Sequence, residues 1–267
     1  MRTSFCSIAL RDDKIKFIIP QVAETGYDGI EVWGQHLVAF LEQGGTVKQL
    51  KKLTEEHKLE IPAISPVFNF TGSEAEKKES VRLGKKFVNF SEELGKPVIR
   101  VFTGNKGSAE ATDDDWKQCA GALQELCEYA QPRGICFALE THPLNLMDDV
   151  PATLRLLDMV NFPNLRVIYD IWHVFCEGRA DPVKALDDLY PYIIHVHAKN
   201  RKQKAKGPRG TNTRYLDNGD LDFKPVLTAL KQRKYKGFIS IEWFGIDRSA
   251  VWDAAEHELL FLKQFCK

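Results

Sequence analysis

The chain has 267 residues, of which 43% are hydrophobic and 28% charged, enough apolar material for a sizeable core and no sign of a disordered or low-complexity protein. Its 37 basic and 37 acidic residues cancel, so no global field draws it to nucleic acid or to an anionic membrane. The six cysteines are scattered without a CxxC pair or the dense spacing of a secreted scaffold, which reads as buried thiols in a reducing cytoplasm.

In chain order, the first apolar run is TSFCSIAL (3 to 10), and charge follows by Arg11, too soon for a signal peptide. Seven more strand-like runs come after it: GIEVW (29 to 33), LEIPAIS (59 to 65), PVIRVFTG (97 to 104), ICFALETH (135 to 142), LRVIYDI (165 to 171), YIIHVHAK (192 to 199) and GFISIEWF (237 to 244). Between them, apolar residues recur at three- and four-residue spacing, most clearly over 74 to 95, 113 to 131 and 249 to 265, and this predicts helices. Thr112 followed by Asp113 to Asp115 opens one helix with negative charge at its positive end, and Gly95 and Gly134 sit where two others stop. Residues 199 to 219 read as a long polar loop, and no apolar stretch reaches membrane-spanning length. The expectation is a cytoplasmic protein with no membrane or nucleic-acid partner, and a homo-oligomer is compatible with these bulk properties.

Eight strands alternating with helices predict an α/β fold, a (β/α)8 TIM barrel forming a single domain over residues 1 to 267. The competing architecture, an open doubly wound sheet, needs a Gly-rich nucleotide loop early on. After the first strand stand Arg11, Asp12 and Asp13 instead.

Four of the runs carry, near their end, a residue able to bind metal: Glu140, Asp170, His197 and Glu242. In a parallel barrel the carboxyl ends of the strands share one rim. Side chains alternate along a strand, so Ala138, Glu140 and His142 share a face, as do Ile168 with Asp170, His195 with His197 and Lys199, and Ser240 with Glu242. All four donors can therefore converge. Two Glu, one Asp and one His form an oxygen-rich site suited to one divalent ion, Mn²⁺, Mg²⁺ or Co²⁺, with Zn²⁺ as a further option. The competing reading makes each acid an ordinary strand end paired with a nearby Lys or Arg.

The segments GYDGIEVWG (26 to 34), LETHP (139 to 143), DIWH (170 to 173), HVHAKN (195 to 200), LDNGDLDF (216 to 223) and SIEWF (240 to 244) together resemble the xylose isomerase-like TIM barrels, which include sugar phosphate isomerases and epimerases and the endonuclease four DNA-repair enzymes. The resemblance implies that Glu140, Asp170, His197 and Glu242 bind one metal, that His173 contacts a substrate oxygen beside it, and that Lys199 lies near the substrate. It further implies that Glu140 and Glu242 are catalytic, one removing a proton and the other returning it, in an isomerase or epimerase of a small sugar, sugar phosphate or related hydroxy-ketone working through an ene-diolate. LDNGDLDF departs from the commoner pattern of Gly, acid, Gly.

Other residues divide between site and scaffold. His142 and His195 are ligand contacts or hydrogen-bonded barrel histidines. Glu31 and Arg100 either reach the mouth to hold substrate or belong to a structural ion pair inside the barrel. Trp33, Phe68, Trp172 and Phe244 either wall a sugar pocket or pack the core. The stretch from Lys199 to Gly210 holds six basic residues and is either an anion-recognition loop or a solvated one. Two other activities compete with the carbohydrate isomerase. One is a dehydratase of an inosose or a dehydroshikimate-like acid, which shares the first proton abstraction. The other is an apurinic endonuclease, which needs further metal ligands where this chain has Ser65, Pro66, Thr103 and Gly104.

Overall fold

A computed structural model describes residues 1–176, 180–202, 213–243 and 248–266. The strands among them are β1 (Arg2–Cys6), β2 (Gly29–Trp33), β3 (Ala63–Ser65), β4 (Val98–Val101), β5 (Phe137–Glu140), β6 (Leu165–Asp170), β7 (Ile193–Ala198), β8 (Asn200–Arg201), β9 (Thr213–Arg214) and β10 (Phe238–Ile241). The helices are α1 (Ile15–Thr25), α2 (Gly34–Glu42), α3 (Val47–Glu56), α4 (Glu74–Leu94), α5 (Asp113–Ala130), α6 (Val150–Val160), α7 (Ile171–Cys176), α8 (Pro182–Leu189), α9 (Lys224–Gln232) and α10 (Val251–Lys263). Eight of the strands close a parallel barrel in the order β1-β10-β7-β6-β5-β4-β3-β2, while β8 and β9 form a separate antiparallel hairpin. This is the predicted (β/α)8 class, and it places every strand's carboxyl end at the same rim.

Two strands are shorter than their apolar runs suggest. β1 stops at Cys6 because Ser7–Leu10 turn into a 3-10 helix, with the Ser7 hydroxyl accepting the Trp33 N–H at 2.9 Å. In LEIPAIS, Pro62 has no N–H to donate to a ladder, so only Ala63–Ser65 extend as a strand and Glu60 touches Gly29 through one isolated bridge. The helix starts follow their chemistry: capping boxes Ser73–Glu76 and Thr112–Asp115 open α4 and α5. Gly95 ends α4 in the left-handed region at φ 97.

By Cα packing the chain divides into residues 1–62 with 195–267, and residues 63–194. In the second unit β3, β4, β5 and β6 pair in parallel register, with Ile99 opposite Phe137 and Glu140 opposite Ile168. Ala63, Val98, Ala138 and Ile168 form a buried apolar layer with Ile194 against it. Two residues further along the same faces come Ser65, Arg100, Glu140 and Asp170, all buried, so an apolar layer supports a polar one. In the first unit β1 pairs with β2 and β10, and β10 with β7, which sets Cys6 opposite Glu31 and Ser240 opposite His197. Among the described residues, no helix is long and apolar enough to cross a membrane.

Candidate active site

In the unit of residues 63–194, Glu140 is the last residue of β5 and Asp170 the last of β6, and both are fully buried. A buried carboxylate needs compensation, and each has a different kind. The Arg100 guanidinium, also buried, donates to Glu140 Oε2 at 3.1 Å and to the Pro66 carbonyl at 3.3 Å, and it lies 3.9 Å over the Phe102 ring. Asp170 accepts the His173 backbone N–H on Oδ1 at 2.9 Å, which caps the first turn of α7 as an Asp at a helix start does. The Asp170 N–H in turn donates to the Thr141 hydroxyl at 2.9 Å, tying the ends of β5 and β6 together.

A wall of rings continues from there. Phe102 lies 4.5 Å from the His142 ring, and His142 stands edge-on to His173 at 4.3 Å. His142 Nδ1 reaches the Pro143 carbonyl at 2.7 Å and His173 Nδ1 the Thr141 carbonyl at 3.3 Å, contacts that put each proton on Nδ1. Donor atoms of Glu140, His142 and His173 lie within 4.8 Å of one another. Asn145 holds the loop behind this wall: its Oδ1 accepts the Thr103 and Gly104 N–H groups at 2.7 and 3.2 Å, and its Nδ2 donates to the Pro143 carbonyl at 3.1 Å.

In the unit of residues 1–62 and 195–267, His195 and His197 on β7 both direct Nε2 at the same oxygen, Glu31 Oε2, at 3.0 and 2.9 Å. Burial pushes the Glu31 carboxyl up, but His197 and His195 outweigh it and hold the group well below the ordinary carboxyl value. Ser240 Oγ lies 2.9 Å from His195 Nε2. Glu31, His195 and His197 form another group with donor atoms within 4.8 Å. The opposite edge of the His197 ring, Nδ1, lies 3.8 Å from Glu242 Oε2. That is too long for a hydrogen bond and short enough for two ligands each about 2.1 Å from one cation. Glu242, one residue past β10, pairs with the Lys199 ammonium, and both are buried.

The LDNGDLDF segment wraps around Asn200. The Asn200 amide donates to the Leu216 and Leu221 carbonyls at 2.9 and 2.8 Å and accepts the Leu221 N–H at 3.3 Å. A Cβ on Gly219 would fall 1.9 Å from the Asn200 side chain, so only glycine allows this approach. From the other side, Glu258 on α10 accepts the Leu216 N–H at 3.1 Å. The segment thus braces the residue that follows Lys199.

The expected site residues are all buried or half-buried. Arg100 forms a buried ion pair with Glu140, and Glu31 meets the two histidines. Phe68 packs on Phe70 at 5.4 Å, Trp172 on Phe175 at 5.7 Å and Trp33 on His36 at 5.2 Å. Phe244 and residues 203 to 210 of the basic stretch lie outside the described residues, while Lys202 pairs with Asp220 at 3.3 Å. Asn145 and Asn200, each a polar residue shortly after a motif, went unrecognised in the sequence because an amide has no pattern of its own.

Comparison with known proteins follows this geometry. The family model described as xylose isomerase-like TIM barrel matches residues 19–265. The chain is 29% identical over 261 residues to a 3-dehydroshikimate dehydratase of Bacillus anthracis, covering 92% of this chain and 91% of that one. It is 25% identical over 256 residues to a fructoselysine 3-epimerase of Shigella flexneri, covering 91% and 90%. Among solved structures, a probable 3-dehydroshikimate dehydratase of Bacillus anthracis superposes with a TM-score of 0.87 at 28% identity, covering 98% of this chain and 99% of that one. The relatives are thus dehydratases and epimerases of sugar-like substrates on one scaffold.

Proposed function

The chain belongs to the xylose isomerase-like TIM barrel family, and on that basis we propose that residues 1–267 form a single-domain, divalent-metal-dependent dehydratase of a small cyclic hydroxy-keto acid of the dehydroshikimate type. Glu140, Asp170, His197 and Glu242 hold the metal. They lie at or within one residue of the carboxyl ends of β5, β6, β7 and β10, which are consecutive in the barrel, and their oxygen-rich chemistry suits Mn²⁺, Mg²⁺ or Co²⁺, with Zn²⁺ also accommodated. When bound, the ion polarises a substrate carbonyl and stabilises the negative charge left by proton removal.

The observation that carries the acid substrate is the pair of buried cations. Arg100 sits on Glu140 and Lys199 on Glu242. A guanidinium and an ammonium already desolvated at the strand ends can receive a substrate carboxylate at little added desolvation cost. They suit an acid better than a neutral sugar. Around them His142, His173 and Trp172 line the substrate side, and His142 and His173 present Nε2 as the basic ring nitrogen. Glu140 or Glu242 removes the proton beside the carbonyl, and elimination of the neighbouring hydroxyl as water completes the reaction.

The second reading is an epimerase. Its support is the pair of glutamates, Glu140 and Glu242, on two different strands, the arrangement that removal of a proton from one face and return to the other requires. The two readings separate in one experiment: protein loaded with Mn²⁺ is given 3-dehydroshikimate and a panel of ketohexoses in D₂O. The dehydratase reading expects a product lighter by one water. A product that keeps all the substrate's atoms except for one deuterium gained at the inverted carbon would replace it with the epimerase, and failure to bind Mn²⁺ would sink both.

A further inference from the structure

Glu31 enters neither the ligand set nor the proposed chemistry, yet it is fully buried on β2. Its one oxygen Oε2 lies within hydrogen-bond distance of two imidazole nitrogens, His195 Nε2 and His197 Nε2. A carboxyl O–H has a single proton to give and could serve only one of them. One oxygen shared by two ring nitrogens is the arrangement of a carboxylate accepting two N–H bonds, so both histidines carry their proton on Nε2.

For His197 this assignment matters. Nε2–H directed at Glu31 leaves the Nδ1 lone pair on the other edge of the ring, the edge that faces Glu242 Oε2 at 3.8 Å. With the other tautomer, the proton would stand on Nδ1 and block the ligating nitrogen. A second imidazole on the same carboxylate oxygen pins the carboxylate in place, and His195 is held in turn by Ser240 Oγ at 2.9 Å. Ser240 Oγ stands beside the same Nε2 that meets Glu31, and all four side chains, Ser240, His195, Glu31 and His197, are fully or nearly fully buried, so the ring orientation is fixed in a closed polar cluster.

We propose that Glu31 is the positioning residue of the metal site, selecting the Nε2–H tautomer of His197 so that Nδ1 is the ligating atom, with His195 as the second donor that locks the carboxylate. The proposal rests on the reading of His197 as a metal ligand. A carboxylate behind a ligating histidine fixes its tautomer and raises its basicity, and losing such a partner typically weakens metal binding about 10–100-fold.

The tautomer is read directly from long-range ¹H–¹⁵N correlations of uniformly ¹⁵N-labelled protein, before and after Zn²⁺ is added. The expected pattern is Nε2–H for His195 and His197 in the metal-free protein, with the Nδ1 resonance of His197 alone shifting as a ligand nitrogen. A His197 proton on Nδ1 in the wild-type protein overturns the proposal without any variant, whether or not metal binds.

Mn²⁺ titration by calorimetry then compares wild type with Glu31→Gln and Glu31→Ala, each checked for wild-type circular dichroism. The dissociation constant should rise about 10-fold or more for Glu31→Ala, less for Glu31→Gln, whose amide oxygen remains an acceptor. Equal affinity in a folded Glu31→Ala variant overturns the proposal. If the wild type binds no divalent ion, it is the metal reading of the site that falls, and the tautomer measurement still decides whether Glu31 sets the ring.

Discussion

Glu258 is a buried carboxyl on α10, remote in sequence from every candidate ligand except Glu242, and burial lifts it to about 8, far above its ordinary 4.5. Asp217 nearby adds to that lift, while the Leu216 N–H and the Trp243 indole oppose it. Burial raises the Tyr27 hydroxyl well above its usual value, to which Glu258 contributes. Between pH 4.5 and about 8 the folded protein keeps a proton on Glu258 that the unfolded chain has lost. The unfolded state binds fewer protons there, so stability falls as pH rises through this window and is flat on either side of it. The preference for the neutral carboxyl amounts to about 5 kcal/mol across the window, at ~1.4 kcal/mol per pH unit.

Glu258→Gln is neutral at every pH and keeps an oxygen for the Leu216 N–H. Its amide nitrogen replaces one of the two oxygens that face the Leu216 N–H, which costs about 1–3 kcal/mol at all pH values. The variant should therefore be less stable than wild type at pH 4, gain on it steadily above pH 4.5, overtake it at about pH 5 to 6.5 at ~1.4 kcal/mol per pH unit, and lead by pH 8. Urea unfolding followed by circular dichroism at four pH values between 4 and 8 gives the two slopes. Parallel stability profiles would refute the assignment of a neutral buried carboxyl to Glu258.

Three further outcomes follow from named contacts. Gly219→Ala drives a Cβ to 1.9 Å from the Asn200 side chain; it should lower stability by about 1–3 kcal/mol, and combining it with Asn200→Ala should cost less than the sum of the two single changes in thermal melts. Lys199→Met removes the ammonium from buried Glu242; the metal-free protein should lose about 3–5 kcal/mol, and saturating Mn²⁺ should recover part of it, because a cation then stands beside Glu242 again. Chelator-treated wild type should gain about 2.7 kcal/mol on adding Mn²⁺ at 100 times its dissociation constant, read as a rise in melting temperature; no rise would remove the metal from the site.

How much of this was legible in sequence depends on whether the governing interaction is local. A strand announces itself within five residues, and a donor such as Glu140 or Asp170 shows at its end, so the eight barrel strands and the four candidate ligands could be read directly. Helix starts are local too, and α5 opens after Thr112 on Asp113 to Asp115 as expected. Pro62 was visible, but its consequence for β3 depended on which N–H the ladder needed.

The partners of buried charge are a different matter. Glu31 and Arg100 were both recognised as able to reach the mouth or to enter a buried ion pair, but the sequence did not say with which partner. The fold brings each to partners well separated in sequence: Glu31 lies 164 and 166 residues from its two histidines, and Arg100 40 residues from Glu140. Strand order decides this, because side chains meet only when strands are neighbours or face one another across the barrel. Sequence alternation assigns a face but not the angle around the axis. The residues that orient the donors, Glu31, Arg100, Asn145 and Asn200, are thus the last to be read from the chain, although a ligating imidazole with its proton on the wrong nitrogen binds nothing.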